Sequence, residues 1–335
     1  MSEQSEYSNR FVPYIDAYFQ FFLVAGFTFQ FVLLYFIQTK SPASLNEMKY
    51  FLYNTSCIQL LEIICVYFTQ HRSLPNSTTL AILANGPCRY FGPEVCFGGY
   101  HIFLGVTLCV ALSISNAVIF RFLVLRRKGI AKRHLIYIIL VSYIPGLCSI
   151  TIPFTDTWDF SVVINQTYLE HPTYYLSFYD PFGGFCRVNS PQFLVTTAIL
   201  AVGAYGIPLC SFLLTRSILK LIRAHSSMSN HTKIQTKTLG LACQVLAPLL
   251  CYAPIFSVYA FSQINGQENL ASEHLLAILS CFPALIDPII SMYFVVPYRN
   301  ALLQAVTKRK EDEHTNTFAV AYAMQIRRIP PHTLP

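Results

Sequence analysis

Charge is scarce in this chain. Asp, Glu, Lys and Arg make up 12% of its 335 residues, about half the share of an ordinary soluble domain. That excludes a water-exposed globule. A basic segment ahead of the first apolar run is also missing, since residues 1–13 are polar and slightly acidic, and no cleaved signal peptide is expected there. Histidine is nearly absent from the apolar runs, with His101 alone inside one. No His cluster is present to hold a metal, no Ser-His-Asp arrangement is visible and no inverted repeat appears, so an enzyme or transporter is disfavoured and no metal or cofactor is expected. The net charge of +7 sits at the ends of apolar runs rather than in a basic domain, which argues against nucleic acid as a partner.

What the chain has is long hydrophobic runs. Cys96 to Ile119 carries no charged residue and is followed by Arg121, Arg126, Arg127, Lys128, Lys132 and Arg133. At 1.5 Å per residue such a run crosses a hydrocarbon core roughly 30 Å thick. The basic end marks its cytoplasmic side. Six further runs are long and apolar enough as well: Ala17–Thr39, Tyr50–Gln70 (interrupted only by Glu62), Leu135–Thr155, and runs within Val188–Thr215, Thr238–Gln267 and Leu275–Tyr298 (the last interrupted only by Asp287). Backbone groups in lipid must be satisfied internally, so each is read as a helix. The expectation is an all-α bundle of seven spans over residues 14–306. A short outer N-terminus (1–13) precedes it, and a disordered cytoplasmic tail (307–335) follows.

Loop charge sets the orientation. With the N-terminus outside, only Arg10, Arg72, Arg89 and Arg187 of the 23 Lys and Arg lie on the outer side, a strong bias of the kind that fixes topology. Two glycosylation tripeptides, at Asn76 and Asn165, then fall in outer loops. Of eleven cysteines, Cys88, Cys96 and Cys186 lie on the outer, oxidising side. Three leaves one over, and the residues alone do not choose the pair.

Two acids sit at membrane depth, Glu62 and Asp287. Facing lipid, each would cost about 2.5–3.5 kcal/mol, so both are expected to face the interior. Thr55, Gln59, Glu62 and Thr69 share one helical stripe. One functional expectation is a water or cation network joining Glu62 to Asp287. Pro145, Pro208, Pro254 and Pro288 lie within spans four to seven, where proline kinks a helix. In the outer half of the bundle, His101, Gly105, Tyr205, Phe256 and Tyr259 are the ligand-binding candidates by depth. The many aromatics and few charges suit a small, largely apolar ligand.

Several motifs carry a resemblance. Phe120-Arg121-Phe122 stands where rhodopsin-like receptors have an acid-Arg-aromatic triplet, and Cys251-Tyr252-Ala253-Pro254 resembles their sixth-span Cys-Trp-x-Pro. The run from Asp287-Pro288 to Ser291 resembles the seventh-span Asn-Pro-x-x-Tyr. Asn85 to Gly92 leading into Cys96, Phe120 to Leu125, and the closing Pro297-Tyr298-Arg299 are more similar still to nematode serpentine chemoreceptors of class delta (Srd). The resemblance implies a receptor for a small chemical stimulus, in the ciliary membrane of a sensory neuron, acting through a heterotrimeric G protein. It implies coupling roles for Arg121, Tyr252, Pro254, Asp287 and Pro288. It also implies a disulfide from Cys96, which lies 25 residues before Arg121, to Cys186. Three departures stand out. Phe120 replaces the acid, so Arg121 is expected to be held loosely. Span seven has no Lys for a retinal Schiff base, and span three has no acid to receive an amine. A seven-span ligand-gated channel of inverted topology is the alternative, against which the loop charges argue.

Overall fold

The computed structural model describes residues 9–42, 46–126, 132–225, 231–265 and 269–304. The expected tail (307–335) and much of the basic cluster (127–131 and 226–230) lie outside the described residues.

Helix α1 (Val12–Thr39) is span one and α2 (Asn46–Thr69) is span two. A hairpin of β1 (His71–Pro75) and β2 (Leu80–Ala84) follows, then α3 (Pro93–Arg126), span three. Span four is α4 (Lys132–Ser142) with α5 (Ile144–Thr151). The connection after it holds α6 (Phe160–Glu170) and β3 (Gly183–Phe185). Span five is α7 (Pro191–Ala201), a π turn (Val202–Gly206) and α8 (Ile207–His225). Spans six and seven are α9 (His231–Asn265) and α10 (Leu270–Phe294). All seven are long and apolar enough to cross a membrane, and each overlaps a run expected from the sequence.

The prolines act in two ways. Pro145 lies in the first turn of α5, and span four breaks just before it at Tyr143. Pro208 follows the π turn at once, where the missing N–H falls beside an already widened ladder. By contrast α9 runs through Pro248 and Pro254, and α10 through Pro283 and Pro288. Spans three and four meet at Gly105 and Gly146. A Cβ on Gly105 would lie 2.8 Å from the Gly146 carbonyl oxygen, so only glycine permits this approach.

The three strands form one antiparallel sheet, ordered β1-β2-β3, with Leu80 opposite Phe185 and Ile82 opposite Gly183. Side chains alternate across it. Leu80, Ile82 and Phe185 pack on Phe97, Tyr100, Phe193 and Tyr259 of the bundle. Leu74, Ala81 and Leu83 pack on Val163 of α6 and on Leu176, Tyr179 and Phe182. Every residue of β1 and β2 is buried. The sheet is thus a layer inserted between the bundle and its own cover, closing one end of the molecule.

This layer bears on two expectations and corrects the first. Cys96 is bonded to Cys88, not to Cys186. Phe185 faces the bundle, so the next residue turns the other way, and Cys186 joins the cover. There it accepts from the Asp159 backbone N–H at 3.2 Å. Asn76, one of the two expected glycan sites, is 1% exposed. Its side-chain nitrogen donates to Thr79 at 2.7 Å and to Thr167 at 2.9 Å, locking the hairpin turn onto α6. Asn165 is exposed.

At the opposite end, Phe36, Phe51, Phe120, Met292 and Tyr298 form a core cluster. Phe120 stacks on Phe51 with ring centres 4.8 Å apart. The aromatic that replaces the expected acid is therefore a packing residue.

Candidate functional site

Beneath the sheet lies a cavity of about 100 Å³. Its roof is His71, Leu80 and Phe185 of the strands. Spans three, five and six supply its walls, among them Tyr100, Leu104, Leu108, Phe193, Phe256 and Tyr259. Ala111, Ala204 and Tyr252 pack together at the far end as its floor. The π turn contributes Gly203 and Ala204, so the widened backbone of span five borders the chamber.

Of the five ligand-binding candidates, Phe256 and Tyr259 line this cavity. The other three do not. His101 is buried behind the wall, with Phe97 at 4.5 Å and Phe185 at 5.1 Å between ring centres. Gly105 is spent on the contact with span four. Tyr205 is 38% exposed and bonds to Ser257 at 2.6 Å. These three lie on helix faces turned away from the cavity. Tyr252, expected only to couple, is a lining residue as well. The roof was missed. The available signal was local, the short apolar run Leu80-Ala81-Ile82-Leu83 that follows His71–Pro75 across a few polar residues, which fits a hairpin.

The roof is anchored by charge. Arg72 of β1 reaches Glu273 at the start of span seven, with Nη2 at 2.5 Å and Nε at 3.0 Å from Oε2. The two are 3% and 0% exposed. Burial works against the Arg72 cation, but the Glu273 carboxylate outweighs it and holds the guanidinium pKa above its ordinary value. Tyr174 of the cover donates to the other Glu273 oxygen at 3.2 Å. His71 lies between the rings of Tyr100 and Phe103, at 4.9 and 4.8 Å. Burial pushes its imidazole pKa down to about 3, so it is neutral.

Below the floor, polar groups continue through the bundle. Thr55, Gln59, Glu62 and Thr69 are all buried, as their shared stripe requires. Glu62 lies near Thr107, Tyr252 and Cys281, and neither of its oxygens has a hydrogen-bond partner. The bond to Asp287 comes instead from Gln59, one turn away, at 3.2 Å. Gln30 links Gln59 to the Ala284 carbonyl of span seven. Gln244 of span six donates to the other Asp287 oxygen at 3.2 Å and to Ser291 at 2.9 Å. Arg121 and Asp287 face a shared pocket of about 20 Å³, and each feels the other's charge. That is room for a water. The acid that Arg121 faces stands on span seven instead of beside it in span three.

Among the described residues, no group of His, Cys, Asp and Glu could hold a metal ion. Residues 15–304 match the family described as serpentine type 7TM GPCR chemoreceptor Srd. The chain is 45% identical over 310 residues to serpentine receptor class delta-59 of Caenorhabditis elegans, covering 92% of this chain and 95% of that one. Class delta-51 of the same organism is 29% identical over 307 residues, covering 91% and 90%. Class delta-50 is 28% identical over 329 residues, covering 94% and 96%.

Proposed function

Because the chain belongs to the Srd family of serpentine seven-transmembrane chemoreceptors, we propose that it is a G-protein-coupled receptor whose sheet-roofed cavity binds a small, largely apolar chemical stimulus. The N-terminus and the sheet face outward and the Arg121 end faces the cytoplasm, in the plasma membrane of a sensory cilium. The observation that carries this reading is the continuity between cavity and coupling end. Tyr252 lines the cavity, Glu62 lies behind it, and the Gln59–Asp287–Gln244 bonds join spans two, six and seven on the way to Arg121.

A ligand pressing on Tyr252 bears on span six two residues before Pro254, where the helix has already lost a backbone bond. Movement there pulls Gln244 away from Asp287 and Ser291. Asp287 then loses a donor, its hold on Arg121 changes, and Arg121 becomes available to a heterotrimeric G protein. The two states need differ only in these few polar contacts. Nothing observed favours the channel alternative, and the relatives named above are receptors.

The test is a stimulus screen in cells that reports cAMP, calcium and membrane current together. The reading expects second-messenger responses that vanish when G-protein α subunits are removed. A ligand-gated current that survives their removal would replace it with the channel reading.

A further inference from the structure

Three hydroxyls in the cavity wall, those of Thr107, Thr196 and Tyr252, have no hydrogen-bond partner. Tyr252 is 6% exposed and Thr196 is 2% exposed, both line the cavity, and neither Tyr252 Oη nor Thr196 Oγ1 has a hydrogen-bond partner. Buried hydroxyls in native proteins are bonded in the great majority of cases, to protein, water or ligand. Thr107 lies nearest the Glu62 carboxyl, which stands behind the wall. The other polar residues of the lining, His71, Tyr100, Thr197, Tyr259 and Ser280, carry no acidic or cationic group, and no Asp, Glu, Lys or Arg lines the cavity among the described residues.

We infer that the cavity takes an uncharged molecule with an aliphatic body and one oxygen head, an alcohol, ketone or ester, whose oxygen accepts from Tyr252 and Thr196. This rests on the cavity being the receptor's ligand site, and it names what that site selects. A wall hydroxyl left unpaired by a pure hydrocarbon is a penalty that an oxygen head removes, and such pairing discriminates more sharply than shape does. An anion finds no cation in the wall, and the one imidazole there, His71, is neutral. An ammonium finds no acid in the wall either. Glu62 stands outside the lining, behind Thr107. Charge of either sign would be stranded in a chamber with little to solvate it.

The experiment uses the purified full chain in lipid nanodiscs and four probe series matched in carbon number: alkanes, 2-ketones, 1-alkanols and primary alkylamines. Ligand-induced rise in melting temperature is titrated to an apparent affinity. Ketones and alcohols are expected to bind on the order of tenfold more tightly than the matched alkane, the worth of about one hydrogen bond. Tyr252→Phe and Thr196→Val each shrink that advantage, weakening ketone and alcohol binding while the alkane binds no more weakly than before. If one variant does not fold, the other is read alone. Equal affinity for alkane and ketone, preferred binding of the amine with loss on Glu62→Gln, or no binding by any series would each overturn the inference. Failure of G-protein exchange with oxygen-dependent binding intact would count against the signalling reading alone.

Discussion

Gln59 of span two donates to Oδ2 of Asp287 on span seven at 3.2 Å, while Gln244 of span six holds Oδ1 at the same distance. One carboxylate thus ties three spans together and still faces Arg121 of a fourth. Asp287→Asn keeps the shape but removes the charge facing Arg121. It should raise basal nucleotide exchange on the G protein on the order of fivefold, within the usual range of a coupling energy. Arg121→Ala should do the reverse, keeping surface expression and ligand binding but losing exchange. Basal exchange unchanged by Asp287→Asn would remove the restraint on Arg121 from the account.

The roof depends on the buried Arg72–Glu273 pair. Glu273→Gln leaves a buried guanidinium without its acid, a loss of about 3–5 kcal/mol for a buried pair broken on one side. The melting temperature of the purified chain should fall and its apparent affinity for ligands of the cavity with it. A variant that melts like the parent would show that the pair is not what anchors the sheet.

His71 gives the roof a pH dependence of predictable sign. Its folded pKa lies near 3, far below the ordinary histidine value, because burial opposes the charged form. Below about pH 6.5 the unfolded state takes up a proton that the folded state refuses. Stability is therefore full above that pH and falls as acidity increases toward pH 3. At pH 5 the loss is roughly 2 kcal/mol. Asp16, Arg72 and His274 line the adjoining outer cavity, so the control is His71→Phe, which retains all three. Melting temperature measured from pH 7.5 to 5 should fall more steeply for the parent than for the variant. Equal slopes would assign the acid sensitivity elsewhere.

The disulfide gives a fourth test. Cys88 and Cys96 are eight residues apart and bonded, and closing so short a loop is worth about 2–3 kcal/mol in the chain-entropy picture. Cys88→Ser and Cys96→Ser should lower the melting temperature equally, and Cys186→Ser should matter far less. Non-reduced peptide maps should join the peptides containing residues 88 and 96. A Cys96–Cys186 peptide would restore the pairing that the family resemblance implied.

How much was legible follows from what each pattern encodes. Span positions were plain because length and apolarity alone define them, and the stripe Thr55, Gln59, Glu62, Thr69 was plain because helical spacing fixes a face. Which residue on that face meets Asp287 was not legible. Gln59 and Glu62 differ by less than one turn, and only the packing of spans two and seven chooses between them. His101 and Gly105 were at the right depth on span three but on the wrong side of it. The amphipathic contrast that reveals rotation in a soluble helix is weak when lipid and core are both apolar. The roof was hidden for another reason. Its strands pair residues 80–82 with 183–185 across a hundred positions, and no local pattern signals such a contact.

The most direct test of the account is nucleotide exchange by a heterotrimeric G protein on the purified chain in nanodiscs, with and without an agonist from the screen. It should be run beside Thr197→Trp, which fills the cavity from span five. The account predicts agonist-dependent exchange for the parent and none for Thr197→Trp at equal folded protein, with basal exchange retained by both. Agonist-driven exchange undiminished in Thr197→Trp would contradict it, because the signal would then begin somewhere other than the cavity beneath the sheet.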